Sequence, residues 1–172
     1  FDAAELEVHA LAVAPDGTLY VGTSPDGRVY RVDAAGSSRV FFDPADKYIW
    51  SLVFDAQGRL HVGTGEKGII YRVTQDGRGE TLFTSTSTHV TAMAFDGEGR
   101  LIAGTDSPGR LVRIDPGGKA FVLLDSPYRE LRAVRVDAAG HIYAAAVNGR
   151  PPADTSQPMQ ASPEPPRMGG VP

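Results

Sequence analysis

The chain has 172 residues, 41% of them apolar, and a formal net charge of −4 with both signs scattered along it. That length suits one domain with a core. It offers neither the basic patch that displaces counterions from nucleic acid nor the run of about 20 apolar residues that crosses a bilayer as a helix. There is no cysteine, which removes disulfides and thiolate metal sites but fits an oxidising compartment as well as a reducing one.

Glycine recurs with a fixed period. Gly17, Gly58, Gly99 and Gly140 are each 41 residues apart, as are Gly22, Gly63 and Gly104, then Gly27, Gly68 and Gly109, then Gly36, Gly77 and Gly118. Between them lie short runs rich in Val, Ile, Leu, Tyr and Phe, bounded by Gly, Pro, Asp or Ser, which read as strands. Phe1-Asp2 precedes Phe42-Asp43 by one period, so residues 1–7 are expected to close the outer strand of a preceding unit.

The first whole unit, 8–43, runs through Leu11–Ala14, the turn Pro15-Asp16-Gly17, Thr18–Thr23, Arg28–Asp33 and Ser38–Phe42. In that turn proline presets φ and glycine supplies the positive φ on leaving it. The second unit, 49–84, repeats the pattern with Trp50–Asp55, Arg59–Thr64, Ile69–Val73 and Glu80–Phe83. The third, 90–125, has Thr91–Asp96, Arg100–Thr105, Arg110–Asp115 and Ala120–Leu124. Residues 131–147 give two strands of a fourth, Leu131–Asp137 and His141–Val147. Of the 25 residues in 148–172, seven are proline, as expected of a flexible or polyproline-like linker.

Four strands in about 40 residues, repeated without insertion, is the pattern of a β-propeller blade. The expected fold is therefore all-β: a partial β-propeller of four-stranded antiparallel blades, about three and a half of them in an open arc. A closed ring needs four to eight blades, so both end faces of the arc await cover, by the remaining blades of a full ring or by another partner.

The run Leu19-Tyr-Val-Gly-Thr-Ser-Pro-Asp-Gly-Arg-Val-Tyr-Arg-Val-Asp33, echoed at His61–Val73 and Ile102–Asp115, resembles the repeat of two-component regulator propellers. It is also similar to the wider NHL-type and gluconolactonase-type propellers. Typical NHL repeats carry Asp where these strands have Gly-Thr, and the Trp-Asp signature of WD repeats is missing, since Trp50 is followed by Ser51. The resemblance implies a binding, scaffolding or sensor surface at the axial face. A periplasmic or secreted location is preferred to a cytoplasmic one.

Positions that recur in every blade have a blade-building explanation, whereas positions that vary at the axial mouth are free to carry a site. One such column is Glu7, Tyr48, His89 and Glu130; another, two residues on, is His9, Trp50, Thr91 and Arg132. As a rim these eight would meet a protein, peptide or carbohydrate. The alternative is a set of varied solvated residues, with Tyr48 and Trp50 packing between blades. A metal site from Glu7, His9, His89 and Glu130 is also open, since carboxylate and imidazole hold calcium or zinc. Gluconolactonase-type propellers are metal enzymes with axial ligands, which implies a metal-dependent lactonase or lyase as the second reading. Those ligands are largely carboxylates and asparagines, and Asn148 is the sole asparagine here. The expectation is therefore a non-catalytic chain without a cofactor.

Three other motifs are read as structure. Asp96-Gly-Glu-Gly99 fills the same hairpin slot as Pro15-Asp16-Gly17. Gly63-Thr-Gly-Glu-Lys-Gly68 joins two strands and lacks the Lys-Ser/Thr ending of a phosphate loop. Ser85 and Ser87 lie near His89 without the third group that a nucleophile–base pair requires.

Overall fold

A computed structural model describes residues 3–148; Phe1, Asp2 and 149–172, and with them the expected end of a preceding outer strand and nearly all of the linker, lie outside the described residues. The described part contains fourteen strands and no helix. The first blade is β1 (Glu7–Val13), β2 (Leu19–Ser24), β3 (Val29–Val32) and β4 (Ser38–Phe42). The second is β5 (Ile49–Phe54), β6 (Leu60–Thr64), β7 (Ile69–Val73) and β8 (Gly79–Thr84). The third is β9 (His89–Phe95), β10 (Leu101–Asp106), β11 (Arg110–Ile114) and β12 (Ala120–Asp125). A half blade follows, β13 (Glu130–Val136) and β14 (Ile142–Val147).

Each blade is an antiparallel meander in sequence order, and a single bridge, Asp106 to Glu130, links the third blade to the half blade. The innermost strands β1, β5, β9 and β13 lie side by side, which is the radial stacking of a propeller. The innermost strands start earlier than the runs read from the sequence, β1 by four residues, β9 by two, and β5 and β13 by one, so Glu7 belongs to β1.

The hairpins between first and second strands are built by one repeated device. Asp55 Oδ1 accepts from the backbone N–H groups of Gln57 and Arg59, Asp96 Oδ1 from Glu98 and Arg100, and Asp137 Oδ1 from Ala139 and His141. A glycine at positive φ, such as Gly58 at 73°, closes the turn. A short polar side chain that bonds the backbone ahead of it is a strong turn former. In the first blade Ala14 stands at the aspartate's place, and Asp16 takes over by accepting from the Thr18 N–H.

The core lies between blades. Second strands of the three whole blades are sheathed on both faces: β6 is buried along its whole length. Close approach depends on a missing side chain at the centre of the second strand in each of the three whole blades. A Cβ on Gly22 would fall 2.5 Å from Ile49 of the next blade, one on Gly63 would fall 2.9 Å from Val90, and one on Gly104 would fall 3.1 Å from Leu131. Ile49, Val90 and Leu131 are fully buried as a result.

Candidate functional site

Pairing along each innermost strand is interrupted at one residue. The register shifts between Val8 and Ala10, between Ile49 and Ser51, opposite Val90 and Ala92, and between Leu131 and Ala133. The skipped residues are His9, Trp50, Thr91 and Arg132, the whole of one candidate column. A β-bulge leaves its extra residue unpaired and re-aims the side chain. Because of it, Val8, Leu11 and Val13 share one face of β1 while the alanines at 10, 12 and 14 take the other. Strict alternation would instead have put His9 with Leu11 and Val13.

Trp50 is the centre of the site. His9 from the first blade lies with its ring centroid 4.3 Å from that of Trp50, Tyr48 stacks at 5.9 Å and 22°, and His89 from the third blade meets it edge-on at 5.4 Å. Three blades thus contribute to one half-buried aromatic and imidazole cluster. His9 Nε2 is held 2.8 Å from Ser24 Oγ and 3.0 Å from Glu7 Oε2. His89 Nδ1 accepts from the Glu66 N–H at 3.4 Å, so its proton sits on Nε2 when the ring is neutral.

Gly65 makes this approach possible. A Cβ there would lie 2.5 Å from Trp50 Nε1 and 2.7 Å from His89 Nδ1. The other blades carry Ser24 and Asp106 at this place. Trp50 Nε1 is itself buried with no hydrogen-bond partner, an unsatisfied donor in the middle of the cluster. Beside it Glu66 adopts φ 67° and pairs with Lys47 at 2.9 Å.

The other members of the two columns stand apart. The Thr91 hydroxyl turns into the blade junction and donates toward the Gly104 and Leu131 carbonyls, so Thr91 joins blades where a rim residue was expected. Arg132 pairs with Glu130 at 3.1 Å, forming a charged patch on the half blade. The four residues expected to share a metal do not gather: Glu7 and His9 meet, while His89 bonds Glu66 and Glu130 bonds Arg132. Among the described residues no group of three or more Asp, Glu or His side chains could hold an ion.

Sequence reasoning missed Gly65, Ser24 and Glu66. The break in the Ser24–Gly65–Asp106 column is the signal that could have found Gly65. It also passed over His61, which is 3% exposed in a slot between the second and third blades, on the side of the hairpin turns. Burial pulls its pKa down to about 4; Asp55, 4.0 Å away, opposes this, and Arg59 and Arg72 add to it. Its ring meets Phe95 edge-on at 5.0 Å.

No family model and no curated protein matches the chain, but solved structures do. Virginiamycin B lyase from Staphylococcus aureus superposes with a TM-score of 0.70 at 13% identity, over 87% of this chain and 59% of that one. The extracellular domain of a protein named as a hybrid two-component system of B. thetaiotaomicron gives 0.70 at 17%, over 86% of this chain and 21% of that one. A protein named for the gluconolactonase family gives 0.62 at 15%, over 79% and 56%. The chain therefore spans about three-fifths of the lyase it matches. Enzymes and sensor domains alike stand among these propellers, so the likeness fixes the fold and leaves the activity open.

Proposed function

We propose that this partial β-propeller is a non-catalytic binding arc, and that the cluster around Trp50 is its contact for a carbohydrate ligand. The observation that carries the reading is the indole flanked by His9, Tyr48 and His89, drawn from three blades at a bulge that serves no pairing. An aromatic face takes the apolar side of a sugar ring, and polar groups around it take the hydroxyls. Glu7 offers a carboxylate 65% exposed, and His89 offers Nε2–H. The charged Glu130–Arg132 patch would bound the ligand on the half blade.

Trp50 is the sole tryptophan, so its emission reports binding directly. Titration with a panel of neutral and acidic oligosaccharides is expected to shift that emission saturably, and Trp50→Ala is expected to abolish binding measured by calorimetry. Binding that survives Trp50→Ala, or a peptide panel that binds where every saccharide fails, would overturn the carbohydrate assignment. The alternative of a metal-dependent lactonase or lyase ring rests on the Glu7–His9 pair, with further ligands to come from other blades. A thermal shift with calcium, zinc or manganese that Glu7→Gln removes would favour it.

A further inference from the structure

The two ends of the arc are not equivalent. We infer that the open face of β1 is a docking face for one more blade of this same repeat, joined ahead of Val8 in the same polypeptide, and that the open side of β14 is not its counterpart.

Three internal interfaces define what such a face looks like. Ile49, Leu52 and Phe54 of β5 pack on the first blade, Val90 and Met93 of β9 on the second, and Leu131 and Val134 of β13 on the third. One period upstream of Ile49, Leu52 and Phe54 stand Val8, Leu11 and Val13. The bulge at His9 puts these three on one face, as the bulge at Trp50 does for their equivalents. They are 48%, 62% and 65% exposed, where Ile49, Val90 and Leu131 are 0% exposed. The face is thus continuous in pattern with three interfaces already formed and differs from them only in lacking its partner.

The same comparison specifies the occupant. Each accepting blade presents a glycine in its second strand and a branched apolar residue seven positions on: Gly22 with Val29, Gly63 with Ile70, Gly104 with Leu111. The glycine leaves room for the incoming Ile49, Val90 or Leu131. In β14 the glycine place is held by Ala145, paired with Ala133 as Gly22 pairs with Ala10. The following threonine, whose hydroxyl in the other blades braces the loop by bonding Arg28, Ile69 or Arg110, is Ala146. A Cβ at 145 stands where, in the three formed interfaces, one built on the glycine would come 2.5 Å from Ile49, 2.9 Å from Val90 or 3.1 Å from Leu131. Copies of the chain therefore do not stack head to tail; a blade with the glycine intact is required.

The test extends the chain by its own repeat. Duplicating residues 8–48 in tandem places a copied blade, with its Gly22 and Val29, ahead of the original Val8. The extended chain is expected to melt higher by roughly 5–10 °C, since one more interface is buried. Leu11→Asp, made in the original copy of the blade, is expected to change Tm by no more than about 2 °C in the unextended chain, where Leu11 is exposed, and to lower it by roughly 10 °C in the extended one. Equal effects of Leu11→Asp in both chains, or no gain on extension, would overturn the inference. So would sedimentation showing head-to-tail oligomers of the unextended chain that Leu11→Asp dissolves, because a second copy would then be the occupant.

Discussion

Acidification should loosen this arc through His61. In the folded chain its pKa is about 4 against the ordinary histidine value of 6.5, chiefly because the ring is buried between the second and third blades. As pH falls below about 6.5 the unfolded chain takes up the proton first, while the folded chain holds the ring neutral. The stability from the neutral ring is therefore complete above pH 6.5 and is lost as pH falls toward 4. A gap of this size is worth about 3 kcal/mol, or roughly 6–12 °C in Tm for a domain of this length. The repeat supplies its own controls, for Tyr20 and Ile102 occupy the same place in the neighbouring blades. Thermal melts from pH 7 to pH 4.5 should fall steeply for the native chain and much less for His61→Tyr and His61→Ile. Asp55, whose pKa is held below the usual carboxylate value by hydrogen bonds from Arg59 in spite of its burial, adds its own loss only in stronger acid and does so in all three proteins. Superimposable melting curves for the three, or an NMR titration of His61 with a midpoint near 6.5, would refute the reasoning.

Other outcomes follow from single contacts. Gly65→Ala should cost about 1–3 kcal/mol by displacing Trp50 and His89, seen as a lower urea midpoint and a shift in the emission of the single tryptophan. Tyr71→Phe removes the 2.8 Å bond to buried Asp46, whose other oxygen already lacks a partner; a loss of about 1–3 kcal/mol in urea unfolding is expected. Ser51→Ala deletes a buried bond across the second and third blades, from the hydroxyl to the Val90 carbonyl, and should cost about 1 kcal/mol by the same measure.

Much of the architecture was legible because glycine spacing and strand composition are local signals. The ladder through Gly22, Gly63 and Gly104 announced the period, and the turn glycines placed the hairpins. What could not be read came from neighbours in space. Nothing in the run Arg59-Leu-His-Val marks His61 as buried; it is so because a second strand in a propeller is covered from both sides. Thr91 shares a column with Trp50 and His9, yet its hydroxyl is short enough to reach a carbonyl of the next blade and turns inward. The candidate columns were found by their variability, while the bulge that sets His9, Trp50 and Arg132 apart from the core is a matter of register. A gap between strands of a single residue leaves no mark in composition.

That extra residue has a consequence for how such a chain can change. Each blade reserves one position on its innermost strand that the backbone ladder skips, and the position returns every 41 residues. Randomising residues 9, 50 and 132 together would sample new recognition chemistries while leaving the glycine ladders and blade junctions intact. The repeat is in this sense a frame with interchangeable tips, and its selectivity can drift far while its architecture stays still.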